Sequence, residues 1–288
     1  MPELPEVETI KRGLAKNIIG KKIIGFDSDW QKMINLPLPR YKRTITGKKI
    51  IGVERRAKML IIGLSDDWRL WFHLKLTGQL VFSGKNKKVV GGHPIKEGFE
   101  ADPNRFTHAT FDFSDGSHLF FNDVRKFGWV RLYKKAELEN KLAAMKLGPE
   151  PLDKNFTLDA FKQILKKKPN NKIKVFLMDP QNLVGLGNIY SDEVCFFARV
   201  RPDRTVKSLK DGEIKLLFNG IKKILPEAIK YEGTSFSNYV NALGEAGAYT
   251  KKLRIYQRYG QKCLGCPGQV KRLKLGGRTS SYCPSCQQ

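Results

Sequence analysis

No apolar stretch of this 288-residue chain approaches the ~18 residues that a bilayer-crossing helix requires. A membrane span is therefore not expected. The first residues are acidic and interrupted by proline, unlike the basic-then-apolar pattern of a secretory leader. They lead us to expect a soluble, cytoplasmic chain. Acidic residues are scarce as a class: 28 Asp+Glu stand against 53 Lys+Arg, leaving a net charge of +25 and a pI near 9.9. The segment from Thr250 to Gln288 carries nine Lys/Arg and no Asp or Glu at all. So one-sided a balance points to a polyanionic partner, DNA or RNA first. A membrane surface fits less well, because the basic residues are interleaved with Gly, Tyr and Cys and do not line a long amphipathic helix. No internal repeat is present.

What is there divides into regions of different periodicity. Val7, Ile10, Leu14 and Ile18 recur at helical spacing, which predicts an amphipathic opening helix. Pro2 and Pro5, with Glu3, Glu6 and Glu8, suit a helix start, since proline fits the first turn and carboxylates favour its positive end. The pattern then becomes β-like in "KKIIGFDSDW", "KKIIGVERR", "MLIIGLSDDWRLWFHLKL", "FTHATFDFSDGSHLFF" and "GWVRLY". Roughly seven or eight such strands over about 130 residues predict an antiparallel sandwich or barrel. "LGPEPLD" reads as a linker, after which helical spacing is predicted over 156–167, 173–178, 189–197 and 212–231.

The tail holds the most specific spacing. Cys263-x2-Cys266, sixteen residues, then Cys283-x2-Cys286 fits four thiolates around one structural zinc ion. A disulfide pairing is the alternative, and it does not suit an intracellular chain. So short a module cannot hold itself by burial, whereas metal binding contributes roughly 10 kcal/mol or more. Between the two cysteine pairs, Gly276-Gly277 predicts a hairpin tip that carries Arg278. Cys195, among Val194, Phe196 and Phe197, reads as a buried core thiol.

"NLVGLGNIYSDEV" places Gly-x-Gly before a helical pattern but lacks the third glycine and the preceding parallel strand of a dinucleotide site. It reads better as a helix-turn-helix elbow whose backbone N–H groups, with Asn188, hold a phosphate. The upstream "KKKPNNKIK" would add long-range attraction. "ERRAKML" puts Lys58 at the end of a basic hairpin, where singly it is an ordinary solvated lysine. "HLKLTG" presents Leu76, and "NDVRKFG" presents Arg125 and Phe127. Each alone would be core or surface, but an aliphatic, a guanidinium and an aromatic tip form a set that can wedge into an opened base stack.

Taken in order, "MPELPEVET", "RRAK", "HLKLTG", "NDVRKFG", "LGPEPL", "GLGNIY" and "GGRTSSYCPSCQQ" resemble the formamidopyrimidine-DNA glycosylases over essentially the whole chain. The resemblance implies an α+β multidomain protein. An N-terminal catalytic β-sandwich with flanking helices would span 1–147, a linker 148–153, a helix-two-turn-helix domain with a lesion-capping loop 154–249, and a zinc finger 250–288. DNA would run through the cleft between them. It further implies that Pro2, freed of Met1, is the nucleophile, Glu3 the proton donor, and Glu6 a supporting carboxylate. Lys58 and Arg278 would serve as proton donors in elimination and, with Asn188, as phosphate contacts. Leu76, Arg125 and Phe127 would fill the gap in the duplex, and Leu76 stands where the family most often has methionine. The stretch 233–249 corresponds to the loop that caps the flipped base.

The implied chemistry is Schiff-base formation at the sugar C1' followed by β,δ-elimination. The implied partner is double-stranded DNA with an oxidised purine or abasic site, met by a cytoplasmic, nucleoid-associated monomer. An α-amine titrating near 8 has a useful neutral fraction at cellular pH. Adjacent carboxylates raise that value, while burial and Lys58 lower it. An endonuclease VIII-type enzyme for oxidised pyrimidines and a non-catalytic damaged-DNA binder remain open. With several phosphate contacts, log affinity for DNA should fall against log salt with a slope of roughly one for each phosphate neutralised. A flat response in a fluorescence-anisotropy salt titration would contradict the basic interface.

Overall fold

The computed structural model describes residues 1–85, 87–92, 103–234 and 248–288, with the backbone alone for 87–90. Its contacts divide the chain into two compact units. The first comprises Met1–Ala144 and Tyr231–Thr250; the second comprises Met145–Lys230 and Lys251–Gln288. The cysteine-bearing tail thus falls in one unit with the helices, and residues 231–250 return to the N-terminal unit.

The first unit opens with α1 (Leu4–Ile18), whose Val7, Ile10, Leu14 and Ile18 enter the core as their spacing predicts. Strands β1 (Ile23–Asp27), β5 (Gly78–Gly84), β6 (Lys87–Gly92), β7 (Thr107–Phe113) and β8 (His118–Asp123) form one antiparallel sheet in the order β1-β7-β8-β5-β6. Strands β2 (Ile50–Arg56), β3 (Met59–Leu64), β4 (Trp68–His73) and β9 (Trp129–Lys134) form the other in chain order. Alternation in β7 turns Ala109, Phe111 and Phe113 inward. Phe72 of β4 meets Phe111 and Phe121 of the opposing sheet at 6.0 and 5.9 Å between ring centroids, so the two sheets share one aromatic core.

Two helices were not evident from periodicity. α2 (Leu38–Ile45) begins beside Pro37 and Pro39 and closes the sandwich through Tyr41, stacked on Phe26 at 4.6 Å. α3 (Lys135–Ala144) buries Leu138 alone, so its sequence carries little apolar period.

In the second unit, α4 (Leu158–Lys166) starts at Thr157, whose hydroxyl accepts the Ala160 N–H at 3.2 Å. It is followed by α5 (Ile173–Met178), α6 (Asn188–Phe197) and α7 (Asp211–Lys230). The tail adds the hairpin β10 (Lys271–Leu275) and β11 (Arg278–Tyr282). Gly276 and Gly277 take φ of +52° and +72°, the left-handed pair that a two-residue hairpin demands. Asp192 of α6 accepts the Ser281 N–H at 2.9 Å, and Gln287 donates to the Val200 carbonyl at 2.8 Å, so the hairpin is fastened to α6. Among the described residues no helix is long and apolar enough to cross a membrane.

Candidate active site and nucleic-acid interface

The helix begins at Leu4, ahead of Val7, the first residue of its apolar period. Glu3 is the N-cap and Pro5 occupies the first turn, so Pro2 precedes the helix and is not needed to start it. Pro2 is nonetheless buried, while Met1 is 50% exposed. Both oxygens of the buried Glu6 carboxylate are engaged: Oε2 accepts the Glu3 N–H at 2.8 Å, and Oε1 accepts the Thr234 N–H and hydroxyl at 2.9 and 3.0 Å. A Cβ at Gly233, where φ is +84°, would lie 2.9 Å from that carboxylate. The base of the expected capping loop is thus tied to the helix start; residues 235–247 of that loop lie outside the described residues.

Lys58 follows Ala57, a non-glycine residue at φ +55° in the β2–β3 turn. Arg55 spans the turn, donating to the Ala57 carbonyl at 2.9 Å and to Glu8 Oε2 at 3.0 Å. Burial pushes the Glu8 carboxyl up, but Lys11, Arg55 and Arg12 outweigh it and hold the group below the usual carboxylate range. Glu8 therefore anchors the Lys58 turn to α1, a role that its place among the opening carboxylates did not disclose.

Leu76 lies in the β4–β5 turn, where the Gly78 N–H reaches the Leu74 carbonyl at 2.9 Å. Any Cβ at Gly78 would lie 2.4 Å from that oxygen. His73 Nδ1 accepts the Lys75 N–H at 3.0 Å, which leaves the imidazole proton on Nε2. Burial first, then Lys75 and Lys58, lower the His73 pKa to about 3. Arg125 and Phe127 are exposed in the β8–β9 turn, the guanidinium over the ring at 4.7 Å.

In the second unit Asn188 is the first residue of α6. Arg278 is exposed at the hairpin tip. Between these two sites lies Lys174, the last residue of the basic run that sequence reasoning gave only long-range attraction to DNA. Lys174 is 0% exposed, as is its partner Asp192, at 2.7 Å. Its ammonium also donates to Asn188 Oδ1 at 2.6 Å and to the Thr279 carbonyl at 3.4 Å, next to Arg278. Burial pushes the Asp192 carboxyl up to about 7, with Lys174 and the Ser281 N–H pulling the other way. Glu193 accepts the N–H groups of Arg254, Ile255 and Tyr256, and the Tyr256 hydroxyl lies 3.4 Å from Asn188 Nδ2.

The four tail sulfurs, those of Cys263, Cys266, Cys283 and Cys286, all lie within 4.8 Å of one another, with pairs at 3.5 and 3.7 Å. A tetrahedral site with 2.3 Å metal–sulfur bonds needs sulfurs about 3.8 Å apart. The Gly265 and Gly268 N–H groups point at Cys263 and Cys266 Sγ at 3.3 and 3.4 Å, donors suited to thiolates. The donor set fits a divalent metal. Cys195 is buried, and burial pushes its thiol up, as an inert core residue requires.

Two family models cover most of the chain: the formamidopyrimidine-DNA glycosylase N-terminal domain over residues 1–130 and the formamidopyrimidine-DNA glycosylase H2TH domain over 147–240. The chain belongs to this glycosylase family. A formamidopyrimidine-DNA glycosylase of Pelotomaculum thermopropionicum is 39% identical across 100% of this chain and 99% of its own length. One from Lactococcus lactis subsp. cremoris is 37% identical over the full length of both. Among solved structures, a Lactococcus lactis Fpg variant in complex with Fapy-dG-containing DNA superposes with a TM-score of 0.88 at 36% identity, covering all of both chains. An abasic-site DNA complex of the same bacterium's Fpg gives 0.87 at 35%, covering 99% of each.

Within this glycosylase-family frame, sequence reasoning missed His73, Arg55 and Lys174 as organising groups. His73 stands inside a quoted motif, so its position beside Leu76 was the available signal. Because folding lowers its pKa from 6.5 to about 3, the unfolded chain binds more protons between those values, and stability should fall as pH drops through that window. A histidine NMR titration should show one imidazole still neutral at about pH 5, and His73→Gln should flatten the dependence of the urea midpoint on pH over the same range. Titration of every histidine near its ordinary value would contradict this environment.

Proposed function

We propose that the protein is a bifunctional DNA glycosylase and abasic-site lyase acting on oxidised purines such as 8-oxoguanine and formamidopyrimidines. The observation that carries the reading is the buried Pro2 held beside the Glu3 cap of α1, with Met1 exposed for removal. The family's full-length likeness, including relatives solved with Fapy-dG and abasic-site DNA, supports it.

Once Met1 is removed, the neutral Pro2 nitrogen attacks C1' of the flipped nucleotide and the base departs with a proton; the C1'–O4' bond of the resulting aminal then breaks, O4' taking a proton, and the sugar ring opens to the iminium. A secondary amine forms only a cationic iminium, so the adduct is an electron sink at every pH. That charge acidifies the C2' proton. Glu3 moves protons at the sugar, and Glu6 fixes the start of α1 through the Glu3 N–H. Loss of the C2' proton expels the 3' phosphate, and a second elimination expels the 5' phosphate. Lys58, Asn188 and Arg278 hold phosphates and Lys58 and Arg278 supply protons to the leaving groups, while Leu76, Arg125 and Phe127 occupy the vacated stack and offset part of the flipping cost, a few kcal/mol. Cys263, Cys266, Cys283 and Cys286 would hold one zinc ion, which supplies no chemistry to the sugar and stiffens the Arg278 hairpin. Such an enzyme would work on chromosomal DNA in the cytoplasm.

Borohydride trapping across a lesion panel tests the reading. Trapped adduct should form fastest on 8-oxoguanine and formamidopyrimidine duplexes, and Pro2→Gly should lower the yield by roughly 100-fold or more. Faster trapping on thymine glycol would favour the pyrimidine-directed type, a comparison worth making because a Lactococcus lactis Fpg is also solved with oxidised-pyrimidine DNA. Binding without any trapping would leave only a damaged-DNA binder.

A further inference from the structure

Asp123 ends β8 and is fully buried, paired in register with Gly78 at the start of β5. Its carboxylate takes donors from both turns that carry the duplex-filling side chains. Oδ1 accepts the Thr77 hydroxyl and the Arg125 N–H, the latter at 3.1 Å. Oδ2 accepts the Gly128 N–H at 2.6 Å. The Arg125 N–H also reaches Thr77 Oγ1 at 3.2 Å, closing a ring of donors and acceptors across the two turns.

We propose that Asp123 is a positioning residue that locks the Leu76 turn and the Arg125–Phe127 turn into one rigid wedge, so that the three side chains enter the duplex together. The inference rests on the gap-filling role assigned above to those side chains. A local Asx turn would need only the Arg125 N–H. The Thr77 hydroxyl, 46 positions away in sequence, is what couples the second turn. The group must be an acceptor at both oxygens, which an ionised carboxylate satisfies and an amide does not. The adjoining backbone is built around it: a Cβ at Gly128 would lie 2.7 Å from the Phe121 ring and 3.0 Å from Asp123 Oδ2. Lys126 takes φ +57° and rests its ammonium 4.7 Å from the Trp30 ring, which fixes the turn's outer side. Preorganised this way, the wedge avoids ordering two independent loops at the moment of insertion.

The test uses a duplex with a tetrahydrofuran abasic analogue opposite 2-aminopurine, so that insertion is read as unstacking without any chemistry. In stopped-flow fluorescence, Asp123→Asn should slow the insertion phase roughly 10- to 100-fold, and Thr77→Val, which removes only the inter-turn link, should slow it by a smaller factor in the same direction. In a variant already carrying L76A, R125A and F127A, Asp123→Asn should add nothing further, because the three tips it positions are gone. Thr77→Val alone decides the matter if Asp123→Asn does not fold. An insertion phase in the wild type that neither variant slows would overturn the clamp. So would an equal loss in the wedge-less background. Absence of any insertion phase in the wild type would instead contradict the gap-filling role itself.

Discussion

Glu6 fixes where this chain begins. Its carboxylate is 2% exposed and accepts hydrogen bonds from the Glu3 backbone at one oxygen and from Thr234 at the other. Those bonds join the first turn of α1 to a segment that returns to it 228 residues later. A buried carboxylate is tolerated only when its oxygens are satisfied, so the contact sets the two segments against each other with little freedom. The proline nitrogen ahead of the Glu3 cap inherits that fixity. With Met1 removed as proposed, a terminal amine, ordinarily the most mobile group in a protein, would be a placed one.

The remaining geometry is built in the same way, by buried polar groups beneath an exposed basic surface. The excess of Lys and Arg supplies attraction to a polyanion, and attraction of that kind carries no orientation. Orientation comes from Glu8 and Arg55 under the Lys58 turn, and from Lys174 and Asp192 between Asn188 and Thr279. The cysteine cluster plays the corresponding part for the Arg278 hairpin. Asp123 extends the principle to the two turns that bear Leu76, Arg125 and Phe127. In each case a buried polar group fixes the turn or helix start that carries a residue proposed to contact DNA.

That division explains what could be read from the sequence. The helices of the second unit and strands β1–β4 and β7–β9 of the first follow apolar spacing and lie within a few residues of where it puts them, whereas β5 and β6 fall outside the β-like runs. α2 is short, with Pro37 as its N-cap and Pro39 in its first turn, and only Tyr41 and Ile45 buried, so it shows little period; α3 is polar nearly all round. The four tail cysteines stood out through local spacing, whereas Pro2, Glu3 and Glu6 by themselves suit an ordinary helix start and stood out only through the family resemblance. His73, Asp123 and Lys174 did not, since an isolated histidine, aspartate or lysine carries no sign of burial. Lys174 closes a basic run that by composition offers only long-range attraction. Their roles arise from partners distant in the chain, as between Asp123 and Thr77, and such pairing becomes visible only once the sheets are in register.

The proposed chemistry turns on the nitrogen of Pro2. The most direct measurement is tandem mass spectrometry of the protease-digested adduct after borohydride reduction on an abasic-site oligonucleotide. The sugar remnant should lie on the N-terminal nitrogen of a peptide that begins at Pro2. A remnant on a lysine side chain, Lys58 above all, or on a peptide that still begins at Met1, would contradict it.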